Sequence, residues 1–245
     1  MDIRRPAVNL ADPVLRRLGV LRKLPPAAAA EVEKAIGERI LSASPGEDLI
    51  SEGDRPVSVR MILSGCACRY KTLEDGRRQI VNFALPGDIC DSQIYLVSQM
   101  DHSIGALTPV AYADIERRRF EDLIAGDRTV AEAFWCEALV MNAIQREWVI
   151  NIGRRDALER VAHLFCEVFE RLRCVDLVDR DSCSFPVTQM DMADATGLSI
   201  VHLNRTLQAL RGAGLITLRE RSLTFHNLSA LRDVALFNPN YLHLD

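Results

Sequence analysis

The spacing of hydrophobic and polar positions changes twice along the 245-residue chain. The first ~40 residues follow a helical period that Pro25 and Pro26 interrupt, because proline lacks an amide hydrogen and breaks a helix. From Gly46 the chain consists of short apolar or alternating runs, separated by turn sequences such as "EGDRP", "EDGR" and "LPGD". This pattern predicts an antiparallel β-rich domain, a barrel or a sandwich, with a hairpin at Glu74–Arg77. From Phe120 the helical period returns and persists.

One long helix is predicted over 128–152, a segment without proline or glycine. Two apolar lines run along different faces of this helix. The first line consists of Phe134, Met141, Ile144, Trp148 and Ile152, and the second consists of Trp135, Leu139 and Ala143. One line can pack on the β domain while the other pairs with a second copy of the chain. Because two-fold dimers are common, we assign the first line to a dimer interface; a single face buried against the β domain is the alternative.

The segment 188–214 predicts two helices joined by a tight turn. Thr188 can cap a short helix, and Asp191 three residues later completes a capping-box pattern. Gly197 suits the left-handed conformation that ends such a helix. Ser199 can then cap the second helix.

The second helix of this pair has one apolar and one polar face. Leu203, Leu207 and Leu210 form a stripe for burial. Basic side chains lie on the opposite face and in the following hairpin; they are Arg205, Arg211, Arg219 and Arg221. Glu220 is the one acidic residue between 198 and 221. This arrangement predicts a winged helix-turn-helix, which inserts the start of its second helix into the major groove of DNA. An ordinary helical hairpin with a solvated basic face is the alternative.

Composition adds limits on partners and compartment. A net charge of −4 gives no overall attraction to nucleic acid or to an anionic membrane, so any DNA contact depends on local basic groups. No apolar run approaches the ~20 residues that a membrane span needs, and the N-terminus lacks the apolar stretch of a signal peptide. We therefore expect a cytoplasmic protein with no membrane partner. Seven cysteines at irregular spacing fit reduced thiols better than a disulfide framework.

An enzyme built on the β domain is a rival function. A cupin-like metal oxygenase needs two or more histidines and a carboxylate on one metal, and His102 is the only histidine before the long helix. The sequence also lacks the G-x-S-x-G, Walker and zinc-protease motifs. We expect no enzymatic activity, no metal site and no cofactor.

From about Leu15 to Ala235 the chain resembles the Crp/Fnr family of bacterial transcription regulators. The motifs "DGRRQI", "PGD" and "HLNRTLQALR" carry the resemblance, and they occur in the family's order. The resemblance implies an α+β fold. Its parts are an N-terminal antiparallel β-roll (a cyclic-nucleotide-binding-like jelly roll) in 1–125, a long dimerisation helix in 126–153 and a C-terminal winged helix-turn-helix in 154–245. It also implies a homodimer that binds a palindromic operator in double-stranded DNA and contacts RNA polymerase.

The resemblance places the operator contacts on the two C-terminal helices. Arg205 matches an arginine that reads guanine in the family, and a guanidinium suits that bidentate contact; a phosphate contact is the alternative. Val201 stands where many members carry glutamate. Valine can touch a thymine methyl group but cannot accept a hydrogen bond from cytosine, so we expect an unusual half-site. The expected DNA contacts are Thr188, Gln189, Ser199, Ile200, Val201, His202, Asn204 and Arg205.

The effector is not identified by the sequence. In family members that bind cyclic AMP, a Gly-Glu pair holds the ribose and an Arg-Ser pair holds the phosphate. Alignment puts Asp91 and Ser92 at the first pair, and Met100 and Asp101 at the second. An acid at the phosphate position would repel the ligand, so we expect no gating by cyclic AMP. An unknown small-molecule effector remains possible, as does control by abundance or by a partner protein.

Two further functions stay open. A redox or metal response could use Cys66 and Cys68, which alternate along one predicted strand and so share a face. Free cysteine is mostly buried, so a core role is the favoured interpretation of both, and Cys90 has no assigned role. An iron–sulfur cluster needs cysteines near the N-terminus, where this chain has none. The other open function is a cyclic-nucleotide-binding-like module that does not bind DNA.

Overall fold

A computed structural model describes residues 9–244, and the predicted α+β class is confirmed. The first two helices are α1 (Asp12–Leu21) and α2 (Pro26–Glu38). Pro25 is the N-cap of α2, so the predicted break at Pro25 and Pro26 is confirmed. Proline is tolerated there because the first amides of a helix have no intrahelical partner. The part of the helical prediction that falls on residues 1–8 lies outside the described residues.

The β-roll consists of two four-stranded antiparallel sheets. Its strands are β1 (Ile40–Ala43), β2 (Asp48–Ile50), β3 (Ser58–Ser64), β4 (Ala67–Thr72), β5 (Arg78–Ala84), β6 (Ile89–Cys90), β7 (Ser103–Ala106) and β8 (Val110–Glu116). One sheet has the order β1-β8-β3-β6 and the other β2-β7-β4-β5. The strand pairs are antiparallel throughout, as predicted for this region.

Two glycine turns shape the roll. The predicted hairpin is confirmed: β4 and β5 pair from Thr72 opposite Arg78, and Gly76 in the connection has φ 85°. Gly87, in the turn before β6, has φ 97°. A Cβ atom there would lie 2.9 Å from the Pro13 carbonyl oxygen and from a Val175 methyl group. Because glycine has no Cβ atom, the segments that contain Pro13 and Val175 can pack closely against this turn of the roll.

The predicted long helix is confirmed as α4 (Arg128–Gly153), which follows the short α3 (Arg117–Gly126). Asp127 caps α4, since its carboxylate accepts a hydrogen bond of 2.7 Å from the Thr129 amide. α3 ends at Gly126 and α4 at Gly153, whereas the sequence predicts domain divisions after residues 125 and 153.

Three of the five residues in the first apolar line of α4 face the inside of their own chain, which corrects their assignment to a dimer interface. Phe134, Ile144 and Trp148 are all buried. Phe134 packs edge-to-face on Phe120 with ring centroids 4.8 Å apart, and Trp148 packs in the same way on Phe83 at 5.7 Å. Side chains that already fill the protomer core are not available to a partner. The sequence misassigned them because periodicity gives the faces of a helix but not what covers each face.

The exposed apolar line of α4 lies on the opposite side. Trp135 is 53% exposed, Leu139 64% and Val149 72%. At 100° per residue these three and Ile150 fall within about 100° of one another, whereas the buried line lies across the helix. Of the remaining residues in the two predicted lines, Met141 is half-buried, Ile152 is exposed and Ala143 is buried.

The C-terminal domain contains four helices and a small sheet. Its elements are α5 (Ala157–Cys174), β9 (Val178–Asp179), β10 (Ser182–Ser184), α6 (Gln189–Thr196), α7 (Ile200–Gly212), β11 (Ile216–Arg219), β12 (Ser222–Phe225) and α8 (Leu228–Ala235). The sheet has the order β11-β12-β10-β9. The helix pair and the wing were predicted, whereas β9, β10 and α8 were not. Strands of two and three residues are too short to leave a periodic pattern.

A buried ionic network joins the β-roll to the C-terminal domain. Arg171, on α5, donates hydrogen bonds to the Phe83 carbonyl oxygen of β5 at 2.8 Å and to Glu167 at 3.2 Å, and it also pairs with Asp88. Glu167 accepts further hydrogen bonds from the Trp148 indole at 3.0 Å and from the Tyr241 hydroxyl at 2.9 Å. The network therefore connects the roll, α4, α5 and the C-terminal segment.

We expect Arg171→Ala to lower the free energy of unfolding by about 3–5 kcal/mol, because it leaves two buried carboxylates without their cation. Urea denaturation followed by circular dichroism measures the change. Arg118→Ala, which removes an exposed arginine from α3, is the matched control and should shift stability by less than ~0.5 kcal/mol. A loss below ~1 kcal/mol for Arg171→Ala would contradict the structural role of the network.

Candidate nucleic-acid interface

The first helix of the pair, α6, begins with the capping box that the sequence predicted. The Thr188 hydroxyl accepts a hydrogen bond of 3.1 Å from the Asp191 amide and donates one of 2.6 Å to the Asp191 carboxylate. Thr188 and Gln189 are both exposed at the start of the helix. The free amides of a helix N-terminus favour an anion, so these residues are suitably placed for a phosphate. Met190 beside them is also exposed, although the sequence analysis did not select it.

The turn between the two helices is fixed by its backbone. Gly197 ends α6 in the left-handed conformation with φ 65° and ψ 25°, as predicted. The Ser199 hydroxyl then accepts a hydrogen bond of 3.2 Å from the His202 amide and caps α7. From α5, Arg160 donates a hydrogen bond of 2.6 Å to the Thr196 carbonyl oxygen. The end of α6 is therefore held to the domain core while the start of α7 points away from it.

The faces of α7 differ as the sequence predicted. Leu203, Leu207 and Leu210 have no exposed surface. On the outer side, Val201 is 63% exposed, although it is an apolar residue. The other residues of the expected DNA contacts on this helix are the exposed Ile200, His202 and Arg205 and the half-buried Asn204. A helix of 13 residues is roughly 20 Å long, which suits insertion of one end into a major groove ~12 Å wide.

The wing is a tight hairpin beside α7. Glu220 and Arg221, at its tip, both have positive φ, at 49° and 62°, which is the geometry of a primed turn between two antiparallel strands. Arg219 and Arg221 are exposed there, and Arg211 donates a hydrogen bond to the Leu218 carbonyl oxygen. The outer side of the domain therefore carries local positive charge, although the chain as a whole is acidic.

A cavity lies in the β-roll, between β4, β5 and α4, with a volume of about 350 Å³. Two arginine or lysine side chains and one histidine line it, and each has an acidic partner in the same chain. Arg69 lies 3.3 Å from Asp91, His102 lies 2.8 Å from Asp101, and Lys71 lies 2.8 Å from Glu52.

The ion pairs of this cavity shift the pKa values of its members. Burial raises the pKa of Asp91, but Arg69 and His102 outweigh that effect and hold it well below its usual value. Burial lowers the pKa of His102, but hydrogen bonds to Asp91 and Asp101 outweigh burial and raise it. Asp91 also has φ 57°, in the left-handed region that favours glycine.

The cysteines of the roll lie in its interior. Cys68 is in β4 and Cys66 immediately precedes this strand, so the two do not occupy one strand as expected, although both are buried. Burial raises the pKa of the Cys68 and Cys90 thiols to about 12 and raises that of Cys66 as well. Because the thiolate is the reactive form, this environment suppresses redox and metal chemistry. Among residues 9–244, no three histidine, cysteine or acidic side chains converge as a metal site.

Two family models match the chain. The cyclic nucleotide-binding domain matches residues 40–127, and the Crp-like helix-turn-helix domain matches residues 159–234. The nitrogen fixation regulation protein FixK of Bradyrhizobium diazoefficiens is 33% identical over 210 residues, which cover 85% of this chain and 86% of the relative. The transcriptional activatory protein AadR of Rhodopseudomonas palustris is 31% identical over 213 residues, or 83% of each chain. The structure of FixK2 from Bradyrhizobium japonicum has a TM-score of 0.71 and 25% identity, covering 80% of this chain and 96% of that one.

A roll followed by a long helix and a winged helix-turn-helix defines a class of DNA-binding transcription regulators, and the exposed face of α7 agrees with that class. The chain belongs to the Crp/Fnr family of these regulators. The resemblance found in its sequence is thereby confirmed. Within the described residues, none of the helices combines the length and apolar character needed to cross a bilayer.

Proposed function

We propose that this protein binds a palindromic operator as a homodimer and reads each half-site with the start of α7. The observation that supports the proposal is that Val201 and Arg205 are both exposed on the outer face of that helix. Arg205 contacts a guanine through two hydrogen bonds, and Val201 contacts a thymine methyl group. The apolar side chain of Val201 is exposed to water in the free protein, and contact with this methyl group buries it.

The remaining expected contacts support these two residues. Thr188 and Gln189 bind a phosphate at the N-terminus of α6. Ser199 caps α7, and the side chains of Ile200, His202 and Asn204 flank the two base contacts. Arg219 on the wing binds the backbone of the duplex, since it is exposed and adjacent to α7.

We propose that the exposed line of α4 forms the dimer interface, in place of the buried line first assigned to it. Trp135, Leu139 and Val149 are large apolar side chains on one face of a helix, and contiguous apolar surface of this kind marks an interface. An equivalent helix from a second protomer can cover this face by two-fold pairing.

We propose that cyclic AMP does not gate this regulator. Arg69 and Lys71, the cations of the roll cavity, already pair with Asp91 and Glu52, and His102 contacts Asp101, so a cyclic phosphate would meet a carboxylate beside each of these basic groups. The protein acts through binding rather than catalysis, and RNA polymerase is its partner on the operator, as the family resemblance implies. A redox or metal response through Cys66 and Cys68 is disfavoured by their burial.

Arg205→Ala should weaken binding to the preferred operator by about 1–3 kcal/mol and relax selectivity at one base pair of each half-site. Arg219→Ala is the comparison, because loss of a phosphate contact weakens binding to all sequences equally and lowers the salt slope by about one. Fluorescence anisotropy with the operator and its single-base variants measures both effects. Unchanged affinity in Arg205→Ala would overturn the assignment of the base contact.

Leu139→Glu should weaken dimerisation by at least about tenfold, because it places a charge within an apolar interface without disturbing a buried position. The matched control is Val57→Glu, which changes an exposed apolar residue of the roll far from α4 in sequence. Sedimentation equilibrium measures the dimer dissociation constant. If Leu139→Glu and the control behaved alike, the interface would lie elsewhere.

A further inference from the structure

One polar contact connects the β-roll to the helix-turn-helix itself. Arg78, the first residue of β5, donates a hydrogen bond of 2.8 Å from Nε to the Asp194 carboxylate of α6. A second nitrogen of the same guanidinium pairs with Asp191 on that helix. The neighbouring Gln79 donates a hydrogen bond of 2.7 Å from its amide to the Asp194 carbonyl oxygen. Two consecutive side chains of the roll therefore hold two positions of α6.

The guanidinium of Arg78 also contacts a residue of the roll itself. It lies over the ring of Tyr70, 5.7 Å from the centroid, and the Tyr70 hydroxyl donates a hydrogen bond of 2.9 Å to Asp48. The Arg78 side chain is 29% exposed and those of Asp191 and Asp194 are 11% and 21% exposed. This contact is more shielded than a surface ion pair, and its forked geometry fixes direction as well as distance.

The contact is adjacent to the proposed DNA contacts. One oxygen of Asp191 pairs with Arg78, and the other accepts the hydroxyl hydrogen bond of Thr188. The Asp191 carboxylate therefore links Arg78 to Thr188, which we propose binds phosphate. A shift of α6 would also carry α7 with it, because the turn at Gly197 and its neighbours holds the two helices together.

We propose that Arg78 is a positioning residue for operator recognition, acting through Asp191 and Asp194. It fixes the helix-turn-helix against the roll, and in a dimer this sets the orientation and separation of the two copies of α7. The proposal rests on the proposed function. The two half-sites of a palindrome are about 34–36 Å apart, so a dimer with freely turning reading units loses both affinity and preference for one spacing.

A direct phosphate contact by Arg78 is the competing explanation. The two explanations predict opposite effects on DNA affinity when Asp194 is removed. Asp194 is a negative charge near the DNA-binding surface. If electrostatics alone mattered, its removal would strengthen DNA binding. If the ion pair positions the helices, its removal weakens DNA binding.

The experiment measures dissociation constants for the duplex that the unaltered protein selects from random DNA, over a range of salt concentrations. The variants are Arg78→Ala, Asp194→Ala and the double variant. The control is Arg77→Ala, which removes an exposed arginine whose ion pair is with Asp75 inside its own hairpin. We expect about tenfold weaker binding for each single variant and no further loss in the double variant, because coupled residues are non-additive. The salt slope should stay unchanged, and the control should bind normally.

A second measurement uses operators with one or two base pairs added between the half-sites. The unaltered protein should discriminate strongly against them, and Arg78→Ala should discriminate less. Arg78→Lys keeps the positive charge but loses the planar guanidinium that contacts two carboxylates. Its discrimination between operator spacings should therefore lie between that of the unaltered protein and that of Arg78→Ala.

Equal or tighter binding by Asp194→Ala, additive losses in the double variant, or a salt slope lowered by one in Arg78→Ala would each overturn the proposal. Failure of the proposed function is distinguishable, since the unaltered protein would then select no duplex at all.

Discussion

The buried guanidinium of Arg171 is the interaction on which the arrangement of this protein depends. A cation without access to water is tolerated only when carboxylates and carbonyl groups surround it, and here these come from separate parts of the chain. Asp88 belongs to the "PGD" turn of the roll, Glu167 to α5, and the Phe83 carbonyl oxygen to β5. Because one cation needs all of these partners together, the roll and the C-terminal domain are packed in a defined way.

This packing connects the roll to the DNA-binding unit. Trp148 of α4 and Tyr241 of the C-terminal segment both donate to Glu167, so the dimerisation helix and the end of the chain share the same network. Arg78 adds a second connection at α6, beside the proposed DNA contacts. The roll is therefore connected to the helix-turn-helix by side-chain contacts, and the polar cavity of the roll is lined by ion pairs of its own residues.

Much of the fold and of the DNA-binding face could be predicted, because both depend on local patterns. Thr188, Gly197 and Ser199 are caps and turn residues whose chemistry is visible over three or four positions, and the structure uses all of them as predicted. The leucine stripe of α7 likewise follows from spacing alone. The class of regulator followed from the order of a few motifs.

The errors and omissions concern contacts between distant parts of the chain. Periodicity separated the two lines of α4 but did not show that Phe120 and Phe83 cover the line that contains Phe134 and Trp148. The pairs that Arg171 and Arg78 make between domains gave no signal in the sequence. Asp88 lies 83 residues from Arg171, and Asp191 and Asp194 lie 113 and 116 residues from Arg78. Charge pairs at such separations have no fixed spacing. The "PGD" and "DGRRQI" motifs carried the resemblance, yet their roles in domain docking emerged only from the structure.

Selection of bound duplexes from random DNA at physiological ionic strength shows whether paired copies of α7 read a symmetric site. We expect one enriched sequence with two-fold symmetry and half-site centres about 10 base pairs apart, each with a guanine and a nearby thymine. Enrichment of no sequence, or of a single unpaired half-site, would contradict it.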